Sequence, residues 1–289
     1  MQIFGTSSTV PSPSTHLRLG GFQGVFRLFL KRMASSAFGC NNAGWIVVVA
    51  VAKEVAKRRN PFFVVMATAV AVTVFLGFAP SFYLRSTFNP SRSLSILLHI
   101  HGLALSAWIV LFWMQTILIA RGSTTLHRRL GWVMSGLAAS IVALMGAAIV
   151  EQMQRIPPPF PPAVALALGL FDIIVFATLV SWAIYWRRSS DWHKRLMLSA
   201  TILLLGAAVV RIVAFNGVHD PRYFILAEYR SAFVFFVPCF AYDWMTRRKL
   251  HPANVVGLAV ILLDLTLQPI VLSWGPWTDF ANSIQRLVT

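Results

Sequence analysis

Eight ionisable side chains lie inside long apolar stretches of this sequence: His99, His101, Asp172, Arg211, Glu228, Arg230, Asp243 and Asp264. Carrying an Arg or Asp toward the centre of a bilayer costs at least ~2.5–3.5 kcal/mol by insertion scales, so such groups face one another or a wet cavity. Carboxyls there exchange protons, and an arginine holds an anion. At ~1.5 Å rise per residue, His99, Arg211 and Glu228 fall roughly 6–9 Å from one end of their helices, with His101 slightly deeper. Asp172 and Asp264 fall near the middle, at roughly 15 Å, and Asp243 lies by the opposite surface. The expected ligand-binding or ion-pair cluster is therefore His99, His101, Asp172, Arg211, Glu228 and Asp264. His99 and His101 point ~200° apart on an ideal helix. His99 shares a stripe with Gly102 and Ser106, which favours it as the inward one, while Trp108 and Gln115 follow His101. Arg211 shares its face with Ala208, Ala207 and Ala200, so it is expected to project into the bundle. There it needs a salt bridge, or a single bridging water, to Asp172, Glu228 or Asp264.

Two further histidines recur in one pattern. Leu126-His-Arg-Arg-Leu-Gly131 and Trp192-His-Lys-Arg-Leu-Met197 share the order His, basic, Arg, Leu, and Arg248-Lys-Leu-His-Pro252 is a looser third case. His127 and His193 belong in the first turns of their helices, with Thr125 and Asp191 as N-caps. The positive end of the helix dipole keeps such imidazoles neutral and able to accept a haem or metal. The alternative is that these segments are headgroup anchors and topology signals.

The elements that position these residues are transmembrane helices. Hydrophobic residues make up 57% of the chain and charged residues 12%, against ~25% charged in a soluble domain. Seven spans can be drawn, at about Phe62–Leu84, Ser93–Ala120, Leu130–Val150, Pro162–Trp186, Leu196–Phe215, Tyr223–Trp244 and Asn254–Trp274. One set of connections holds Lys53, Lys57, Arg58, Arg59, Arg121, Arg128, Arg129, Arg187, Arg188, Lys194, Arg195, Arg247, Arg248 and Lys249. The other holds only Arg85, Arg92, Arg155, Arg222 and Arg286. The basic set is cytoplasmic, so an all-α bundle of about seven spans has its N-terminus inside and its C-terminus outside. Trp132, Trp186, Trp192 and Trp244 mark the inner interface, Trp274 and Trp277 the outer one. The net charge of +16 then serves topology and anionic lipid headgroups at the inner face, and nucleic acid is not an expected partner.

Residues 1–60 stand outside this rhythm and read as a poorly structured basic leader. Within it, Phe22–Met33 suits the membrane surface. The leader shares its lack of early acidic residues with transit peptides; the alternative is an upstream extension, with the working protein beginning near Val51 or Met33. Residues 61–275 form the bundle and 276–289 a short external tail. Cys40 and Cys239 have no disulfide or zinc spacing. Small residues at four-residue spacing, Ser135, Ala139, Ala143 and Ala147, suggest a packing stripe.

The run Gly77-Phe-Ala-Pro-Ser-Phe-Tyr-Leu-Arg85, then Leu98-His-Ile-His-Gly102, Trp108, Gln115 and the two His-basic loops, resembles a group of uncharacterised bacterial multi-pass membrane proteins. The resemblance covers roughly residues 61–275 and implies a bacterial cytoplasmic (inner) membrane, with no activity attached. A more distant similarity, in layout only, is to membrane b-type cytochromes and implies haem b. The fourth span carries Asp172 and no histidine, so only His127 and His193 remain as a pair.

Other seven-span chemistries lack their residues. No Lys lies inside a span for a retinal Schiff base, and the last span has no His-x-x-x-His for zinc. There is no phosphate-cradling loop, no closely paired catalytic carboxylates and no Cys-x-x-Cys. No catalytic residue set emerges, so the residues lean away from an enzyme. Three classes stay open: binding or proton-coupled passage of a small polar or anionic solute, haem- or quinone-linked electron transfer, and a structural or sensor subunit.

Overall fold

The computed structural model describes residues 61–88, 94–155, 161–217 and 221–288, all of it helix and connections, with no strand among them. The expected leader, residues 1–60, lies outside these. Helix α1 spans Phe62–Phe78 and runs into a π-helical segment, Ala79–Tyr83, where Pro80 withholds an amide. A single turn, Arg85–Phe88, follows. Then come α2 (Ile96–Ala120), α3 (Thr124–Arg155) and α4 (Pro162–Tyr185). A 3-10 turn, Trp186–Arg188, leads to α5 (Ser190–Leu203) and α6 (Leu205–Phe215). The last three are α7 (Pro221–Arg247), α8 (Pro252–Leu272) and α9 (Gly275–Val288).

Local chemistry sets these ends. Ser95 Oγ accepts from the Leu98 N–H at 3.1 Å and caps α2. His251 Nδ1 accepts from the Ala253 N–H at 3.1 Å and caps α8, whose first residue is proline. Gly122, at φ +78°, reverses the chain between α2 and α3. Thr125 and Asp191 are not the caps expected of them. Thr125 lies inside α3, and Asp191 lies inside α5, whose N-cap position is Ser189.

Among the described residues, six segments are long and apolar enough to cross a membrane: Phe62–Tyr83, Ile96–Ala120, Thr124–Gln154, Pro162–Arg188, Ser190–Phe215 and Pro252–Leu272. The chain is thus compatible with a multi-pass membrane protein. Helix α7, at the expected sixth span, is 27 residues long. It carries Glu228, Arg230, Asp243 and Arg247. Apolar side chains cover the outward faces: Ile96, Leu103, Trp132, Ile174, Val237, Leu263 and Ile270 are all exposed. In a soluble protein this surface would drive aggregation; against lipid it is solvated.

Sequence neighbours pack side by side, α2 on α3, α3 on α4 and α4 on α5, while α8 closes on α4, α5 and α7. The tightest approaches use glycine. A Cβ on Gly77 of α1 would lie 2.7 Å from the backbone Cα and carbonyl carbon of Ala208 in α6. One on Gly257 of α8 would lie 2.8 Å from Ser199 Cβ in α5. The stripe expected on α3 is not its buried face: Ala139 and Ala143 are exposed, and Met134, Ala138, Ile141 and Ile149 are buried. Bulkier side chains that fill space against α2 and α4 win over small ones.

The expected tail is a helix. Trp277, Ala281, Ile284 and Val288 of α9 pack with Ile149, Met153, Ala163 and Leu166 of α3 and α4. The Trp277 indole N–H donates to the Ala163 carbonyl at 3.1 Å, and Gln154 donates to the Val288 carbonyl at 2.9 Å. Spacing of three and four residues between its apolar positions, 277, 281, 284 and 288, accounts for this docking.

Candidate functional site: a carboxyl cluster

Asp172, Glu228 and Asp264 come from three helices and lie within electrostatic reach of one another. Each is carried there by the core face of its helix. On α4, Asp172 continues the buried stripe Phe176, Leu179 and Ala183, with Phe176 edge-on to Trp108 of α2. On α8, Asp264 belongs to the stripe Gly257, Ile261, Leu265 and Gln268. On α7, Glu228 heads the line Ser231, Phe235, Cys239 and Asp243. The Cys239 thiol on that line donates to the Phe235 carbonyl at 3.3 Å and takes part in no disulfide.

Asp264 is only 2% exposed, and neither of its carboxyl oxygens has a hydrogen-bond partner. Gln268, buried one turn on, faces it outside hydrogen-bond geometry. No ion pair among the described residues reaches Asp172, Glu228 or Asp264. A carboxylate left alone in this way is strongly disfavoured, so the cluster is built to hold protons or to receive a cation.

The helices around the cluster include one single-residue turn and two internal prolines, with α7 and α8 continuous through theirs. Leu204 breaks the run between α5 and α6, Pro238 stands inside α7, and Pro269 inside α8. Two residues past the Leu204 break, Gly206 faces Glu228: a Cβ there would lie 3.5 Å from Glu228 Cγ and 3.8 Å from Oε1.

Arg211 takes another position from the one its alanine neighbours suggested. Its guanidinium donates to the Ala207 carbonyl of its own helix at 2.8 Å and lies over the Phe78 ring at 4.4 Å. Ala208 is buried against α1, but Ala207 and Arg211 are exposed. The alanine face is thus split, and Arg211 follows its outer edge to an aromatic partner in place of a carboxylate. Of the two histidines on α2, His101 is within electrostatic reach of Arg211, and its Nδ1 is buried without a partner. His99 is exposed, its Nδ1 bonded to the Ser95 carbonyl at 2.8 Å, and its stripe faces α1: His99 and Gly102 meet Phe82, and Ser106 bonds Tyr83 at 2.7 Å. The inward stripe of α2 is instead His101, Trp108 and Gln115, which bulky Trp108 anchors by complete burial.

The basic end holds a second polar centre that spacing alone did not reveal. Arg195, 1% exposed, meets Asp243, fully buried, through Nε at 3.1 Å and through Nη2. The other Asp243 oxygen accepts from the His251 N–H at 3.0 Å and from Asn254 Nδ2 at 2.7 Å. Arg195 Nη1 also donates to the Asp191 carbonyl at 3.0 Å, and Asp191 pairs with Lys194 and Arg247, each at 2.7 Å. The charge count along the sequence places Arg195 among the topology signals, and the structure places it in the core instead. The available signal was Asp243 lying on the buried line of α7, where a carboxylate demands a cation. His127 and His193 are brought together at this end as well, with ring centres 6.2 Å apart and planes at 81°.

Compared with family models, curated proteins and solved structures, the chain matches none of them.

Proposed function

We propose that this chain is a seven-span protein of a bacterial cytoplasmic membrane that couples proton binding at Asp172, Glu228 and Asp264 to the passage of a small polar solute. The observation that carries this reading is Asp264, buried and unpartnered beside two other carboxyls. A purely structural carboxylate would resemble Asp243, whose two oxygens accept four hydrogen bonds. Helix α7 serves as the remaining span, with Glu228 and Asp243 turned to the bundle, Arg230 exposed and Arg247 at the cytoplasmic end. The basic loops contact anionic headgroups on that side. Arg211 and His101, free of carboxylates, suit the anionic or hydrogen-bond-accepting part of a solute.

A lipid-soluble carbodiimide tests this, because it adds only to protonated carboxyls in apolar surroundings. Peptides bearing Asp264, Glu228 or Asp172 should gain its mass, and the gain should disappear at alkaline pH. An unlabelled cluster throughout the range would sink the proton-binding reading.

A further inference from the structure

The carboxyl reading leaves His127 and His193 unexplained. Both stand in the first turn of a helix, their backbone N–H groups bonded to the Ser123 and Ser189 carbonyls at 3.1 and 2.9 Å. Their rings meet edge to face with centres 6.2 Å apart. His193 Nδ1 lies 2.8 Å from the Ala183 carbonyl, an oxygen that can only accept. Nδ1 therefore carries a proton, and Nε2 is the nitrogen that a neutral imidazole offers as a lone pair. This is the arrangement in which a protein orients a metal-ligating imidazole, with a backbone carbonyl behind it. His127 Nδ1 is buried and has no hydrogen-bond partner. The Gln115 side chain donates to the His127 carbonyl at 3.1 Å, and its own oxygen is also buried and unpartnered. Gln115 is 7% exposed. Unsatisfied acceptors thus collect at one helix end.

The spacing fits a shared ion. With metal–nitrogen bonds of about 2.0–2.1 Å, the metal lies roughly 3.2 Å from each ring centre. Two imidazoles on one ion then have centres between roughly 5 Å, at a tetrahedral angle, and roughly 6.4 Å, when opposed. The nearby charges do not prevent this. Arg195 is matched by Asp243 and Lys194 by Asp191; Arg128, the cation that reaches His127, is exposed to screening, and helix ends oppose a cation far less than two coordinate bonds favour it. We infer that His127 and His193 form a transition-metal site at the basic end of the bundle, binding through one nitrogen of each imidazole. Neutral imidazoles with an amide oxygen beside them suit zinc, copper, nickel or iron, and not magnesium or calcium.

The test uses the full chain, purified in detergent without a metal-affinity tag, stripped with chelator and titrated with Zn2+. The wild type should bind a single equivalent, and His127→Ala and His193→Ala should each weaken binding at least ~10–100-fold, the loss that even outer partners of a ligand produce. His99→Ala, at the opposite end, should bind as wild type. Unmodified protein loaded with Cu2+ gives a reading independent of variant folding: its electron paramagnetic resonance spectrum should show two equatorial nitrogens. A Soret band in the untreated protein, lost with either histidine, would mean the same two ligands hold haem iron instead of a free ion. Zn2+ uptake that persists in the double variant, or neither metal uptake nor a Soret band in the wild type, would overturn the site.

Discussion

The two acidic ends of α7 lie on one helix face and meet opposite fates. Asp243 receives a guanidinium, a backbone amide and a carboxamide, whereas no ion pair among the described residues reaches Glu228. Asp243→Ala should therefore be severe. It strands Arg195, 1% exposed, and removing one partner of a buried pair costs about 3–5 kcal/mol. The thermal midpoint in detergent should fall accordingly, and an unchanged midpoint would show that water reaches Arg195. His251 supplies a pH dependence. Burial first, then the charges of Arg195 and Arg247, hold its pKa below the ordinary histidine value. Its unfolded form thus binds the proton more readily, so its contribution is present above ~6.5 and is lost as pH falls below that value. Protonation also removes the lone pair that accepts the Ala253 N–H. Asn keeps an acceptor at the cap and does not titrate, so His251→Asn should flatten the loss of stability between pH 7 and 5. A slope equal to wild type would assign the acid sensitivity elsewhere.

Among the elements, the apolar lengths of the spans and the turn residues between them were legible, because bilayer thickness and proline or glycine chemistry act locally. Stripe assignments were less so. On α2 and α6, small residues pointed to one face as inward, and the packing of Trp108 and Phe78 chose another. Such choices depend on volumes contributed by distant helices, which spacing along one helix does not contain. Glycine contacts translate directly into expected outcomes. Gly77→Ala drives a methyl into the Ala208 backbone of α6, which cannot rotate away. Overpacking of this kind costs about 1–3 kcal/mol. Gly206→Ala meets Glu228 at ordinary contact distance and should leave the unfolding midpoint nearly unchanged. Equal midpoints for the two variants would mean that α1 and α6 separate freely.

For the whole molecule, the proposed orientation makes a simple claim. A reporter fused after Arg188 should read as cytoplasmic and one after Arg286 as external; both on one side would mean an even number of crossings. The candidate site was half legible. Helical rise puts Asp172 and Asp264 at one depth and Glu228 nearer one end, yet all three lie within electrostatic reach of one another, because their helices cross at depths that rise along one helix does not contain. That Arg211 avoids them, and that Arg195 enters the core, depended on which neighbours were already matched. The interruption at Leu204 has a mechanical consequence. The two sides of that single-residue turn are tied to different neighbours, α5 to α7 through Arg195 and α6 to α1 at Gly77, so a pull on one tether is not carried directly by the other.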